Sequence, residues 1–277
     1  MTGKVGFIGL GDQGGPMAAA IAPVFDLQVW ARRPASYAPL LGLPYSLAQG
    51  ANDLAASVSV LCLCLPGDAE LAELLQTAVI GTMKSGGIVI NHATGDPEAA
   101  AGFAAKLAAG GIDYLDAPVS GGRPGALERT LTTFVGGEAA VLEACWEILA
   151  THCNAIHHMG PAGSGQMTKL LNNALTVSNL RNVVEVLSLA EAAGMRLDAL
   201  QAAFKTSSGG SFILQALGTK ITPDIADHIA GLNRKDVAEF AKAMQRKGLH
   251  PEAIVNWAMP GPDQLTDKVR SLVKRSA

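Results

Sequence analysis

The chain has little aromatic or charged content: of 277 residues, 5% are Phe, Trp or Tyr and 16% are charged, while 49% are hydrophobic. With so few rings, the core must be assembled mainly from Ala, Val, Leu and Ile. There is no basic block, and the formal net charge is −3. That argues against nucleic acid and anionic membrane as partners. No apolar run approaches the ~20 residues that a membrane span needs. The opening KVGFIGLGDQG is broken by glycines and Asp12, so no signal peptide is expected and the expected location is cytoplasmic. Cys62, Cys64, Cys145 and Cys153 lack zinc spacing, so reduced core cysteines and no metal centre are expected. The length allows one large domain or two ordinary ones.

What is present centres on GPAGSGQMTKLLNN, residues 160–173. A glycine-rich bend runs into a predicted helix over 164–193, about 45 Å long at ~1.5 Å per residue. Its other residues are mostly apolar on every side, which predicts burial all round. Lys169 and Asn173 are polar exceptions four residues apart, hence on one face. A buried ammonium needs a partner or a task.

The amino terminus reads as strand, glycine turn and helix. KVGFIGL is followed by Gly9, Gly11 and Gly14 in GLGDQG, and then by PMAAAI. This is the order that a dinucleotide-binding turn requires, with free helix N–H groups facing a pyrophosphate. Gly9, Leu10, Gly11, Asp12, Gln13 and Gly14 are therefore candidate cofactor residues. The next strand, 27–30, ends in Ala31-Arg32-Arg33 with no acidic residue to take ribose hydroxyls. Arg32 and Arg33 suit a 2′-phosphate instead, which favours NADP, with NAD as the alternative. Apolar strands at 58–65, 87–91 and 112–116 alternate with helices at 69–75 and 98–108. That rhythm predicts a parallel, doubly wound α/β sheet with ligands at its carboxyl edge. Leu65 and Pro66, at one such strand end, join the cofactor candidates.

APVSGGRPG, residues 117–125, offers close-packed backbone N–H groups and the Ser120 hydroxyl, a cradle for a carboxylate. After Gly194 helical segments dominate: 198–205, 211–217, 234–247 with Asn233 as its cap, 252–258, and a basic tail from 263. A Rossmann-like domain over 1–161 and an all-helical domain over 162–277, joined by the long helix, are expected.

Five motifs in this order resemble the β-hydroxyacid dehydrogenase family, which includes 3-hydroxyisobutyrate dehydrogenase and glyoxylate and succinic semialdehyde reductases. They are GLGDQGGPMA, NHATGDP, DAPVSGGRPGALERTLTTFVGG, GPAGSGQMTKLLNN and NRKDVAEF. The resemblance implies that Lys169 is the general acid/base and Asn173 its orienting partner. It implies that Ser120, Gly121 and Gly122 hold a substrate carboxylate, and that Thr94 and Lys235 line the cofactor and active site. Asp236 would support Lys235 or cap its helix. A homodimer or homotetramer formed through the helical domain is implied as well. Departures from the family pattern are Gln13, His92 with Ala93, Arg129 where a glycine is frequent, and His228 where a phenylalanine is frequent. Arg123 follows Ser-Gly-Gly directly. Arg123 and His228 are therefore candidates for a second polar or anionic substrate group, though both also suit plain solvent exposure. Other readings are an imine reductase-like enzyme of the same fold, which generally lacks the lysine, and a non-catalytic NADP-binding module.

Overall fold

The structure is a computed structural model that describes residues 3–274. By internal contacts the chain divides into two units, between Lys169 and Leu170.

The first unit alternates strands and helices: β1 (Val5–Ile8), α1 (Gly14–Ile21), β2 (Leu27–Trp30), a 3₁₀ stretch (Pro34–Leu40), β3 (Ser46–Leu47), α2 (Ala51–Ser57) and β4 (Val60–Leu63). It continues through α3 (Asp68–Leu74) and a π turn (Leu75–Val79), β5 (Ile88–Asn91), α4 (Pro97–Ala108), β6 (Asp113–Asp116), β7 (Val119–Ser120), α5 (Gly122–Glu128), β8 (Leu131–Gly136), α6 (Ala139–Leu149) and β9 (Cys153–Gly160). The strand order is β3-β2-β1-β4-β5-β6-β8-β7, with β9 on β8. From β3 to β6 every pairing is parallel, with Val5 opposite both Leu27 and Val60. β6 and β7 pair with β8 in antiparallel fashion, so the sheet is parallel-dominated rather than wholly parallel.

Both faces are covered, and the sequence shows why. Val5, Phe7, Val60, Cys62, Ile88 and Ile90 point into one core cluster. The intervening Ile8, Leu61, Leu63 and Val89 point into another on the opposite face. A strand with apolar residues in both registers can only sit between two helical layers. The chain winds outward from β1 in two directions, which opens a crevice at the carboxyl ends of β1 and β4.

Helix α7 (Ser164–Ala192) crosses the division between the units and matches the helix expected from sequence. Its burial does not match that expectation. Leu170, Val177, Leu180, Val184 and Leu187 are buried, but Leu171, Leu175, Val186 and Leu189 are exposed, Leu189 at 71%. The apolar residues form two stripes, and only one of them packs.

The second unit continues with α8 (Leu197–Lys205), α9 (Phe212–Ala216), α10 (Ala226–Arg246), α11 (Glu252–Ala258) and α12 (Pro260–Lys274). It has its own core of Leu180, Val184, Leu187, Ala226, Ala230, Leu265 and Val269 among others. The second unit differs from the expectation at two places. α10 begins at Ala226, so Asn233 and Asp236 lie in mid-helix rather than at its start; the amphipathic pattern extends two turns upstream of the Asn that looked like a start signal. The basic tail after residue 263 is helix α12, with Leu265, Val269 and Leu272 buried on one face.

Candidate active site

The turn after β1 shows a separate physical need at each glycine of GLGDQG. Gly9 has φ of 99°, and a Cβ there would lie 2.1 Å from the Cys64 carbonyl oxygen. A Cβ on Gly14 would lie 1.8 Å from the Gly9 carbonyl oxygen, so α1 packs directly on the strand end. Around Gly11 there is nothing within 4 Å. The first glycine makes the turn, the third permits close packing, and the middle one leaves backbone open to an incoming phosphate.

This turn forms one wall of a cavity of about 630 Å³. Gly9, Leu10, Gly11, Asp12, Gln13, Gly14, Arg32, Arg33, Leu65 and Pro66 all line it. Ten of the twelve candidate cofactor residues are thus brought together by the carboxyl ends of β1, β2 and β4. Trp30, Ser36, Asn52, Glu70 and Thr77 also line it and were not foreseen, because they lie at the end of β2, in the 3₁₀ stretch, on α2, on α3 and in the π turn, where no local motif marks them. Tyr37 fixes the Arg32–Arg33 corner. Its hydroxyl accepts from the Ala31 N–H at 2.8 Å and donates to the Ala31 carbonyl at 3.3 Å. Arg32 and Arg33 are exposed at that corner.

Thr94 stands outside the cavity lining, on the loop after β5. It alone among residues 91–95 is partly exposed. The loop is held from several sides. Ala93 N–H donates to Asn91 Oδ1 at 3.0 Å, Asp96 N–H donates to Asp68 Oδ2 at 2.8 Å, and the Asp96 carboxylate caps α4 by accepting from the Glu98 and Ala99 N–H groups. His92 is fully buried, with Nδ1–H donating to the Ala117 carbonyl at 3.1 Å. It stacks on Phe7 and meets the buried His152 edge-on at 5.1 Å. Burial pushes His92 down to about 4, and burial together with the His92 ring pushes His152 well below its ordinary value. Both are neutral core residues.

Ser120 ends β7, paired opposite Thr132. Gly121 and Gly122 follow with φ of 127° and 61° and are partly exposed. Arg123 is exposed on α5. On α7, Lys169 and Asn173 are one turn apart and buried, at 9% and 8% exposure. His228 lies in the first turn of α10 and is exposed; Lys235, also exposed, pairs with Glu239 at 3.6 Å.

Two residues that carry weight at the start of α7 were missed as site candidates. Asp116, at the end of β6, is fully buried. It accepts from the Gly163 N–H at 2.7 Å and the Gln166 N–H at 2.8 Å, an N-cap supplied from a distant strand. Burial pushes its carboxyl up to about 6, against the backbone N–H groups of Gly163, Gln166, Gly165 and Asp116 itself that hold it down. Gln166, also fully buried, donates to the Ala93 carbonyl at 2.7 Å and accepts from the Gly95 N–H at 2.8 Å. No short-range capping signal marks either residue, since their partners lie 47 to 73 positions away.

Residues 4–160 match the family described as the NAD binding domain of 6-phosphogluconate dehydrogenase. Residues 163–254 match the one described as the NAD-binding of NADP-dependent 3-hydroxyisobutyrate dehydrogenase. The chain belongs to the β-hydroxyacid dehydrogenase family. It is 32% identical to the 2-(hydroxymethyl)glutarate dehydrogenase of Eubacterium barkeri over 77% of this chain and 72% of that protein. It is 34% identical to a 3-hydroxyisobutyrate dehydrogenase of Pseudomonas aeruginosa over 76% and 72%. Its fold superposes on a Mycobacterium tuberculosis 3-hydroxyisobutyrate dehydrogenase solved with L-serine, with a TM-score of 0.86 at 21% identity over 98% and 99% of the two chains. The protein is an NAD(P)-dependent hydroxyacid dehydrogenase. Among the described residues no cluster of His, Cys, Asp and Glu could hold a metal ion, and no helix is long and apolar enough to cross a membrane.

Proposed function

We propose that this dehydrogenase interconverts a small β-hydroxyacid and its aldehyde-acid with NADP(H), using Lys169 as general acid/base. The observation that carries the reading is a lysine buried one helical turn from a buried carboxamide, in a chain whose first unit holds an open dinucleotide turn. The backbone around Gly11 and the start of α1 fit a pyrophosphate, and Arg32, Arg33 and Ser36 suit a 2′-phosphate. NADP supplies or accepts the hydride when bound. In the reduction direction the Lys169 ammonium donates a proton to the carbonyl oxygen as that oxygen gains charge; in oxidation the neutral amine removes it. Asn173 orients the lysine from the next turn. Ser120 and the N–H groups of Gly121 and Gly122 hold the carboxylate, which aims the reacting carbon.

Arg123 is the residue we assign to a second anionic or polar substrate group, with His228 as the other candidate. The Eubacterium barkeri relative is named for a glutarate derivative, which supports including dicarboxylate-type substrates. An imine reductase-like activity is disfavoured by the presence of Lys169, and a non-catalytic module by the pairing of that lysine with Asn173. The test is turnover of NADPH and NADH against short aldehyde-acids, among them succinic semialdehyde, tartronate semialdehyde, methylmalonate semialdehyde and glyoxylate. Turnover favouring NADPH is expected. The Arg32→Ala/Arg33→Ala variant should lose about tenfold in NADPH affinity, with NADH little changed. Equal loss for both cofactors would reverse the NADP assignment. Arg123→Ala with an unchanged substrate ranking would remove Arg123 from the specificity role.

A further inference from the structure

Gln166 occupies the first turn of α7, three residues before Lys169 and on the same face. Its carboxamide is fully buried and spends both ends on one loop: Nε2 donates to the Ala93 carbonyl at 2.7 Å and Oε1 accepts from the Gly95 N–H at 2.8 Å. These bonds flank Thr94, the one partly exposed residue of 91–95. The same turn of helix is held from behind by Asp116, which accepts from the Gly163 and Gln166 N–H groups. Close approach makes this possible at Gly165, where a Cβ would lie 2.4 Å from the Phe134 carbonyl oxygen and 2.5 Å from that of Asp116.

We propose that Gln166 is a positioning residue for the reaction: it locks the Thr94 loop to the helix that carries Lys169, so that the two are set in one fixed geometry. This rests on the reading of Lys169 as the general acid/base. A carboxamide suits the task because it is a donor and an acceptor at once, matched to a carbonyl and an N–H on either side of one residue. Burial at both ends means that neither bond has water as a substitute. Displacing a reacting group by about 1 Å can cost roughly 100-fold in rate, which sets the scale of the expected effect.

The charged and titratable groups around the clasp are Asp116 from β6, Asp68 from α3, Asp96 of the loop itself and His92. A Gln166→Glu variant turns the clasp into a titratable one. As a neutral acid the new side chain can still donate to the Ala93 carbonyl and accept from the Gly95 N–H. As a carboxylate it can accept only, and it repels that carbonyl. The experiment compares kcat, KM for NADPH and secondary structure for wild type, Gln166→Leu, Gln166→Glu and Lys169→Ala across pH 5.5–8.5. The expected result is a kcat roughly 100-fold lower for Gln166→Leu. For folded Gln166→Glu, kcat relative to wild type should recover as pH falls, by about tenfold per unit above the acid's pKa. The proposal is overturned if Gln166→Leu and Gln166→Glu keep kcat within about twofold of wild type while Lys169→Ala is inactive. It is overturned equally if folded Gln166→Glu has a lowered kcat ratio that does not recover as pH falls, which decides the matter even where Gln166→Leu fails to fold. Full activity of Lys169→Ala would instead remove the catalytic reading beneath it.

Discussion

Arg129 is the one non-glycine among the described residues with a positive φ, at 57°. It closes α5 in the left-handed conformation, where a Cβ costs roughly 1–2 kcal/mol. Glycine would remove that strain and return part of the gain as greater freedom in the unfolded chain, about 0.5–1 kcal/mol. Arg129→Gly should therefore raise stability by roughly 0.5–1 kcal/mol, seen as a later urea midpoint, with activity unchanged. The sequence already marked this position as one where the family often has glycine; the backbone supplies the reason. Gly14 is the opposite case. Gly14→Ala would drive a methyl to 1.8 Å from the Gly9 carbonyl oxygen, and the turn must open to admit it. Loss of NADPH binding in titration is the expected outcome, with the helical unit's core untouched. The dinucleotide turn was legible because its three glycines fall in one short stretch between an apolar strand and a helix. Asp116 and Gln166 were not, because what they bond lies many tens of residues away in the chain.

At the scale of elements, β1, β2, β4, β5, β6 and the extent of α7 followed from the sequence pattern, whereas the two-residue β3 is too short to leave one. The start of α10 did not. Asn233 mimics a cap, but the amphipathic face with Ala226, Ala230 and Val237 buried runs through it, and packing outweighs one local signal. The sides of α7 were misjudged for a related reason, since composition cannot tell which of two apolar stripes is covered. The start of α7 depends on a carboxylate from β6. Asp116→Asn puts a donor against a backbone N–H and should cost roughly 2–3 kcal/mol, read from urea unfolding. His92 titrates near 4 when folded and 6.5 ordinarily, so below 6.5 the unfolded chain gains the proton first. Stability is therefore lost as pH falls from 6.5 to 4, and His152 acts in the same direction. Asp116 opposes them. Its folded carboxyl takes a proton near 6 rather than 3.8, which favours the folded state as pH falls through that window. Asp116→Asn should therefore steepen the loss of stability between pH 6 and 4; a shallower slope would contradict these assignments.

At the scale of the whole molecule, Leu171, Leu175, Val186 and Leu189 form an exposed apolar stripe along α7, the kind of surface that marks an interaction face when it is contiguous. We propose that this stripe is covered in a homodimer or homotetramer built through the helical unit. Sedimentation should give an assembly of at least two chains, and Leu175→Glu/Leu189→Glu should shift it toward monomer. Fold class and family were readable from five motifs in order; substrate was not, because Arg123 and His228 are exposed residues whose neighbours in the sequence fix nothing about what they meet. We propose that Lys169 moves the proton. The most direct measurement is kcat for Lys169→Ala beside wild type on the best aldehyde-acid, with NADPH affinity measured by fluorescence titration on the same samples. A fall of roughly 10²–10⁴ in kcat with NADPH affinity unchanged is predicted. A kcat within a few fold of wild type would remove Lys169 from proton transfer and pass the role to another group.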